Sequence, residues 1–575
     1  MKKIFAYILM SASLLGFTSC IEDDNNYNYT EEIRLTSYGI TGLHDEYSFA
    51  YGQERELAPT YEFTSPVKEE DLAFEWRLDG ELLLEETGPT CRFSFDKMGQ
   101  HEVTFSVVYK PRGVKFSKTV KILVRSPFAR GWLVLSENNA NESELNFVGA
   151  NSFNYTTSYT YDKKTYEVLR DTLRYDIVMK DVSPNLGQHP KGILLNTGYI
   201  GRYGELFDNV NEVIVMQDRW AELNGNSLER EVFTEDEFQG DLPATGFQPL
   251  GASMSYSAKA LLNKDGYIYW NRLTYASDFH SGAYANFPLG KDKKFKAVYP
   301  LYRINEFHAA IPALTDENEL VGIIDDALTF PNSAELRHTN YNSGVYSIQN
   351  GGISSSPKDD RYKFGSSEVI TLEPASPEDD GPQEQRPGYV GILKTGGNYE
   401  LIHFIWENGR HAAHSRVRTV LFDRMPLHGL TGFTDIAIFN NKKYAIIADG
   451  NVLYYIQYGV GNQSKLIKLH TFNSAVKALG ANDINVFYSK RPNKWQPPHY
   501  GHLGVALEDG TFYIFEVVEK QLQTNEDQLA LTKEVSVNQL FPDLNSSVQQ
   551  DNHFDKIVDV RYKYSKGEEF LRFSY

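Results

Sequence analysis

Cysteine is scarce: the 575 residues hold two, Cys20 and Cys91. There is no CxxC pair and no His-Glu-x-x-His, so no zinc site is expected from spacing. The nearest approach to a nucleophile elbow, Gly251-Ala-Ser-Met-Ser255, lacks its second glycine. Phosphate-cradling and dinucleotide fingerprints are missing as well, and no cofactor is expected. Beyond the N-terminus, no apolar run has the length of a membrane-spanning helix. Basic residues are in deficit, 57 against 76 acidic, for a net charge of −19. That balance excludes nucleic-acid binding by charge neutralisation, and it offers little to an anionic lipid surface.

What is present begins with a short basic head, Met1 to Lys3, an apolar stretch to about Leu15, and Thr18-Ser19-Cys20. This is the layout of a secretory signal. Leu14 to Cys20 resembles a bacterial lipobox, with Phe17 where leucine is usual, so residues 1–19 are expected to be removed and Cys20 lipidated. Residues 20–32 read as an acidic tether without apolar periodicity. Glu22, Asp23 and Asp24 resemble the export signal of gram-negative anaerobes that carry lipoproteins to the outer face of the outer membrane. With Cys20 lipidated, Cys91 has no partner in the chain. Large packed cores must then hold the fold.

Aromatic residues make up 13%, with 37 Tyr and 34 Phe, in short Val/Ile/Tyr runs between Gly, Asn and Asp. That composition predicts an all-β chain, and its length predicts more than one domain. Residues 33–126 alternate as a β-sandwich: Leu72 to Leu78, an Asp79-Gly80 hairpin turn, Thr90 to Phe95, His101 to Val108, and Ser117 to Val124. Phe74-x-Trp76, Asp79-Gly80 and Gly99-x-x-Glu-Val-Thr-Phe resemble a PKD-type domain. Trp76 and Cys91, both on alternating strands, are expected in its core, and the domain is expected to be a spacer.

Residues 127–575 repeat. A tight turn followed by an aromatic strand occurs at Asp265-Gly266, Asp449-Gly450 and Asp509-Gly510, and more loosely at Gly396-Gly397. A second unit sets Phe before an apolar strand, at Phe433, Phe472 and Phe554; the first two are 39 residues apart. That period predicts a β-propeller of about six to eight four-stranded blades, with seven the central expectation and a long insertion before Phe554. One blade reads in full: Ile436 to Phe439, Lys443 to Ala448, Val452 to Ile456 and Lys465 to Leu469. Phe570 to Tyr575 is expected to close the ring. The whole chain is similar to the PKD-like family lipoproteins encoded in Sus-type outer-membrane uptake loci. The likeness rests on the lipobox, the sandwich, Lys443 to Tyr455, Gly504 to Phe515, and Lys556 to Tyr562. It implies a place beside a TonB-dependent transporter and its partner lipoprotein, and brings no catalytic residues to carry over.

Candidate sites are therefore few. His411/His414 and His499/His502 have spacings that could ligate a metal only on a helix, and strands or loops are expected there. The acidic run within residues 374–388 reads as a solvated loop. No complete sialidase-type Asp-box is present. Aromatic loops suit glycan or peptide binding: Tyr199, Arg202 and Tyr203; Tyr275, Asp278 and His280; Trp495 and Tyr500. The leading expectation is a non-enzymatic surface lipoprotein that binds a glycan or peptide or docks on the transporter. The alternative is a propeller-fold polysaccharide lyase or hydrolase whose residues are scattered in sequence. Cys20→Ala should move the protein from the membrane to the soluble fraction; retention in the membrane would contradict lipidation at Cys20.

Overall fold

The computed structural model describes residues 32–563 except 51–53, 96, 98, 162–163, 197–211, 255–257, 273–281, 290–291, 301–309, 325–343, 351–356, 380–384, 409–416, 440–442, 460–464, 483–500, 522–531 and 548. It divides into two compact units, Met1–Ser126 and Pro127–Tyr575.

The first unit is a β-sandwich. Its larger sheet runs Glu46–Ala50, Val114–Arg125, Gly99–Tyr109, Leu72–Leu78, Glu81–Leu82. Alternation along these strands sends Val103, Phe105, Val107, Val120 and Ile122 into one core. Trp76 is fully buried there, 4.7 Å from the Phe105 ring, and its indole N–H donates to the Gly88 carbonyl. Cys91 lies in the same core, and burial pushes its thiol up to about 12, with Glu86 adding to the effect, so it is no nucleophile. Asp79 and Gly80 both take positive φ, 50° and 87°, the turn that a two-residue hairpin requires.

The second unit is a seven-bladed propeller. Blades 2 to 7 start at Gly192–Asn196, Pro249–Met254, Phe295–Val298, Glu368–Asp379, Asp435–Phe439 and Val476–Asn482. In each, the strands follow one another in order across an antiparallel sheet; blade 5 adds a short fifth strand, Gln349–Asn350. Blade 1 is composite. Gly131–Glu137, Ser143–Tyr161 and Lys164–Met179 supply three strands, and Lys556–Lys563 from the far end of the chain supplies the fourth. That strand packs against the first strands of blades 7 and 2, which identifies it as the innermost. Ring closure thus falls to Lys556–Lys563; Phe570–Tyr575 lies outside the described residues. The heptapeptide Lys556 to Tyr562 has the better alternation, with Ile557, Val560 and Tyr562 buried.

Seven apolar clusters fill the seven gaps between blades. Successive residues of one strand serve opposite gaps: in blade 6, Tyr444 and Ile446 face blade 7, whereas Ala445 and Ile447 face blade 5. Both sequence repeats have positions in this plan. The tight turns join the second and third strands of blades 3, 5, 6 and 7, and Phe433, Phe472 and Phe554 each precede an innermost strand. Gly510 takes φ +85°, and a Cβ there would lie 2.4 Å from the Asp555 carbonyl, so the turn excludes a side chain. Residues 374–388 differ from expectation: the blade 5 ladder runs through Ala375↔Gly388 to Asp379↔Gln385. Pro374 is tolerated because its strand is the sheet edge, where a missing N–H breaks no ladder bond on the outer side.

The seam between blades 7 and 1 is keyed by Trp132, fully buried. Its ring occupies the space left by Gly480 and Gly504, where an added Cβ would come within 2.7 and 2.6 Å. Trp132→Ala should cost about 3–5 kcal/mol in denaturant unfolding of the second unit. Removal of residues 556–575 should cost far more than removal of 568–575. Equal losses from the two truncations would contradict closure by Lys556–Lys563.

Candidate ligand-binding face

Strand order alone sorts the connections of a propeller. With four antiparallel strands per blade, first-to-second and third-to-fourth connections leave one end, while second-to-third turns and blade-to-blade links leave the other. In this chain the two ends differ. Residues 197–211 in blade 2, 299–309 in blade 4 and 483–500 in blade 7 join first strands to second. Residues 273–282 in blade 3, 325–343 in blade 4, 409–416 in blade 5 and 522–531 in blade 7 join third strands to fourth. All of these belong to one end. The opposite end carries the short Asp-Gly and Gly-Gly turns and the links between blades, among them residues 234–248, 348–367 and 542–555.

Tyr199, Arg202, Tyr203, Tyr275, Asp278, His280, Trp495 and Tyr500 lie outside the described residues, as does Cys20. The described strands that flank these three segments all end at this common end. His411, His414 and His499 also lie outside the described residues. His502 does not: it is buried in the second strand of blade 7, with Nδ1 2.7 Å from the Tyr175 hydroxyl. It is a core histidine. Among the described residues no group of three or more His, Cys, Asp or Glu could hold a metal ion.

Two charged constellations were missed by sequence reasoning. The first lies on innermost strands. Asp559 of blade 1 accepts the Ile193 N–H of blade 2 at 2.8 Å, and Asp435 of blade 6 accepts the Leu479 N–H of blade 7 at 2.7 Å. Arg561 lies 3.4 Å from Asp559. Asp559, then Glu373 and Asp435, hold its guanidinium above its ordinary range. Burial pushes Asp435 up to about 7 despite the attraction of Arg561 and two backbone donors. These carboxylates are engaged in cross-bracing neighbouring blades. The second constellation is between blades 2 and 3. Lys259 donates to Glu222 at 2.7 Å and to Glu237, and Asn271 donates to Glu237 at 3.0 Å. Lys259 and Glu222 are fully buried, so the group can touch no substrate and acts as a paired internal ion cluster. Its signal was a charged residue amid apolar strand neighbours, Ala258-Lys-Ala-Leu-Leu262 and Ala221-Glu-Leu223. At the end that carries the short turns, a cavity of about 440 Å³ between blades 7 and 1 is lined by Glu137, Glu508, Asp509, Asp555 and Lys556.

Residues 20–172 match the model of the PKD-like family, about a quarter of the chain, running past the sandwich into blade 1. No curated protein matches. Among solved structures, a quinonprotein alcohol dehydrogenase-like protein from Bacteroides thetaiotaomicron is 12% identical, with 68% of this chain and 96% of that one covered, at a TM-score of 0.17. The β-propeller domain of Nup133 from Vanderwaltozyma polyspora is 12% identical over 57% and 82%, with a TM-score of 0.29. The exotype rhamnogalacturonan lyase YesX is 9% identical over 81% and 89%, with a TM-score of 0.23. Superpositions this loose carry no argument, and the propeller assignment rests on the strand order above.

Two buried imidazoles give the second unit a pH dependence. Burial lowers His403 to about 4, with Lys443 adding to the effect, and burial lowers His502 to about 4. Both stay neutral in the folded protein, whereas the unfolded chain protonates them near pH 6.5. The histidines' contribution to stability is complete above about pH 6.5 and is lost as pH falls toward 4, by about 3 kcal/mol per histidine, while Asp435, held at about 7, contributes in the opposite direction. Urea unfolding between pH 4 and 7 should show this slope, and His403→Gln with His502→Gln should flatten it. An unchanged slope in the double variant would contradict the assignment.

Proposed function

We propose that the chain is a lipid-anchored cell-surface protein of an outer-membrane nutrient uptake system, which captures a glycan or peptide on the loop-bearing end of its propeller. The observation that carries this reading is that the strands flanking all three aromatic segments end at one and the same end of the propeller. Flat aromatic rings beside Arg, His and carboxylate groups suit sugars and peptides, because rings cover apolar faces while polar groups read the edges. The match of residues 20–172 to the PKD-like family supports a modular, exported architecture. The lipobox-like N-terminus supports membrane attachment. The transporter and its partner lipoprotein are the proposed neighbours, reached through lipid on Cys20. The two described charged groups favour binding over turnover: the innermost carboxylates are occupied by backbone N–H groups, and the Lys259 cluster is sealed from solvent.

A glycan and peptide array probed with the full chain tests the reading. A bound ligand class is expected, with binding weakened at least about tenfold by Arg202→Ala or Trp495→Ala, as for loss of an anchor residue. No ligand on the array would overturn nutrient capture. Turnover of an arrayed polymer, abolished by Asp278→Asn or His280→Ala, would overturn the non-enzymatic reading.

A further inference from the structure

The gap between blades 2 and 3 encloses an amine, a carboxamide and two carboxylates. Lys259, on the second strand of blade 3, Ala258–Asn263, stands directly opposite Asn271, on the third strand, Ile268–Arg272. Opposed residues of an antiparallel ladder share a face, with Cβ atoms about 5 Å apart. Both side chains are fully buried. Both donate to the same oxygen, Oε2 of Glu237, with Asn271 Nδ2 at 3.0 Å from it. Two donors on one oxygen lie within about 6 Å of each other. Glu222 also accepts from the Lys259 amine, at 2.7 Å.

The other polar atoms of the gap do not complete a structural network. Asn271 Oδ1 and the Tyr284 hydroxyl are buried without a hydrogen-bond partner, a cost that a purely structural ion cluster would avoid. Tyr284 opposes Asn271 across the third and fourth strands. Burial, with Glu222 and Glu237 adding to the effect, raises its hydroxyl well above the ordinary range, so it remains a proton donor. Ile214, Trp220, Phe238 and Tyr269 fill the same gap and keep out water, the competing nucleophile. The second unit contains no cysteine, so a side-chain cross-link within it must use other chemistry.

We propose that Lys259 and Asn271 form an intramolecular isopeptide bond, with Glu237 as the catalytic carboxylate. Two carboxylates converge on one amine, so the Lys259 proton has an acceptor, and its departure leaves a neutral nucleophile. The nitrogen attacks Asn271 Cγ. The Nζ–Cγ bond forms and the Cγ–Nδ2 bond breaks. Glu237 touches both nitrogens and carries a proton from the incoming one to the leaving one. Nδ2 departs as ammonia and takes up the proton first given by Lys259, so an ammonium and an amide become an amide and an ammonium. No oxidant, reductant or further reactant is needed. Lys259 and Asn271 lie at the end of their hairpin away from the Asp265-Gly266 turn, where residues 273–282 depart. The bond therefore fixes the base of the segment that carries Tyr275, Asp278 and His280, and it stands independently of what those residues bind.

The test uses the full chain, unfolded, digested with trypsin and read by mass spectrometry. Residues 231–264 and 265–272 should appear as one branched product, uncut after Lys259 and about 17 Da lighter than the sum of its parts. Separate peptides ending at Lys259, Lys264 and Arg272 in the parent protein would overturn the proposal. Loss of ammonia without branching marks backbone cyclisation at an asparagine and would overturn it too. Lys259→Arg keeps a cation between Glu222 and Glu237 but has no amine to react, so it should yield no branched product. Glu237→Gln should keep the parent circular dichroism spectrum and lower the branched fraction at least about tenfold. A folded Glu237→Gln protein that cross-links as completely as the parent would overturn the role of Glu237. The digest of the parent decides the bond whether or not either variant folds.

Discussion

Seven β-sheets with two apolar faces each can all be covered only in a closed ring, and the ladder between Gly131–Glu137 and Lys556–Lys563 closes it. Without that pairing, the apolar faces at the seam between blades 7 and 1 would meet water. Trp132, Val148, Tyr175, Phe512, Ile514 and Phe554 are the side chains at stake. At about 25 cal/mol per Å² of apolar surface, one such interface is comparable to the whole net stability of a domain. Trp132 makes the seam specific, because a large ring set over Gly480 and Gly504 fits one register and no neighbouring one. The innermost strands add polar cross-braces, Asp559 to blade 2 and Asp435 to blade 7.

Closure also sorts the chain by function. Once the blades are fixed around an axis, strand order alone sends first-to-second and third-to-fourth connections to one end, and second-to-third turns with the links between blades to the other. Among the described residues, His403 and His502 of the ring are buried and neutral, Lys259 is paired with Glu222 and Glu237, and Cys91 lies in the sandwich core. In the proposed reading, stability resides in the sheets and recognition in the aromatic connections.

The sheets were more legible than the site. Blade 6 could be read nearly residue by residue, because Asn440-Asn441 and Asp449-Gly450 punctuate strands of strong alternation; the structure gives Tyr444–Asp449 and Val452–Gln457. Seven as the central blade number came from the same spacing. The pairing of Lys556–Lys563 was not legible, because both C-terminal segments have strand composition and a partner more than 400 residues away leaves no local mark. The length of Ser143–Tyr161 and Lys164–Met179 was overlooked, because the register between two strands is not visible in either one alone. The Lys259 cluster combines residues from separate segments, Lys259 and Glu222 each a single charge in an apolar run and Glu237 the last of the acidic run Glu235 to Glu237, so only folding shows that the charges meet. The loop residues proposed for binding carry chemistry without periodicity, which is why their roles rest on composition and on the end of the ring to which they belong.

Hydrogen exchange followed by mass spectrometry tests the closed ring most directly. In a closed ring the amides of Lys556–Lys563 and Gly131–Glu137 share the global opening event, so peptides from both should exchange together and as slowly as those from Tyr444–Asp449 in blade 6. If Lys556–Lys563 exchanges much faster while blade 6 remains protected, the C-terminal strand is not the element that closes the propeller, and the account built on that closure fails.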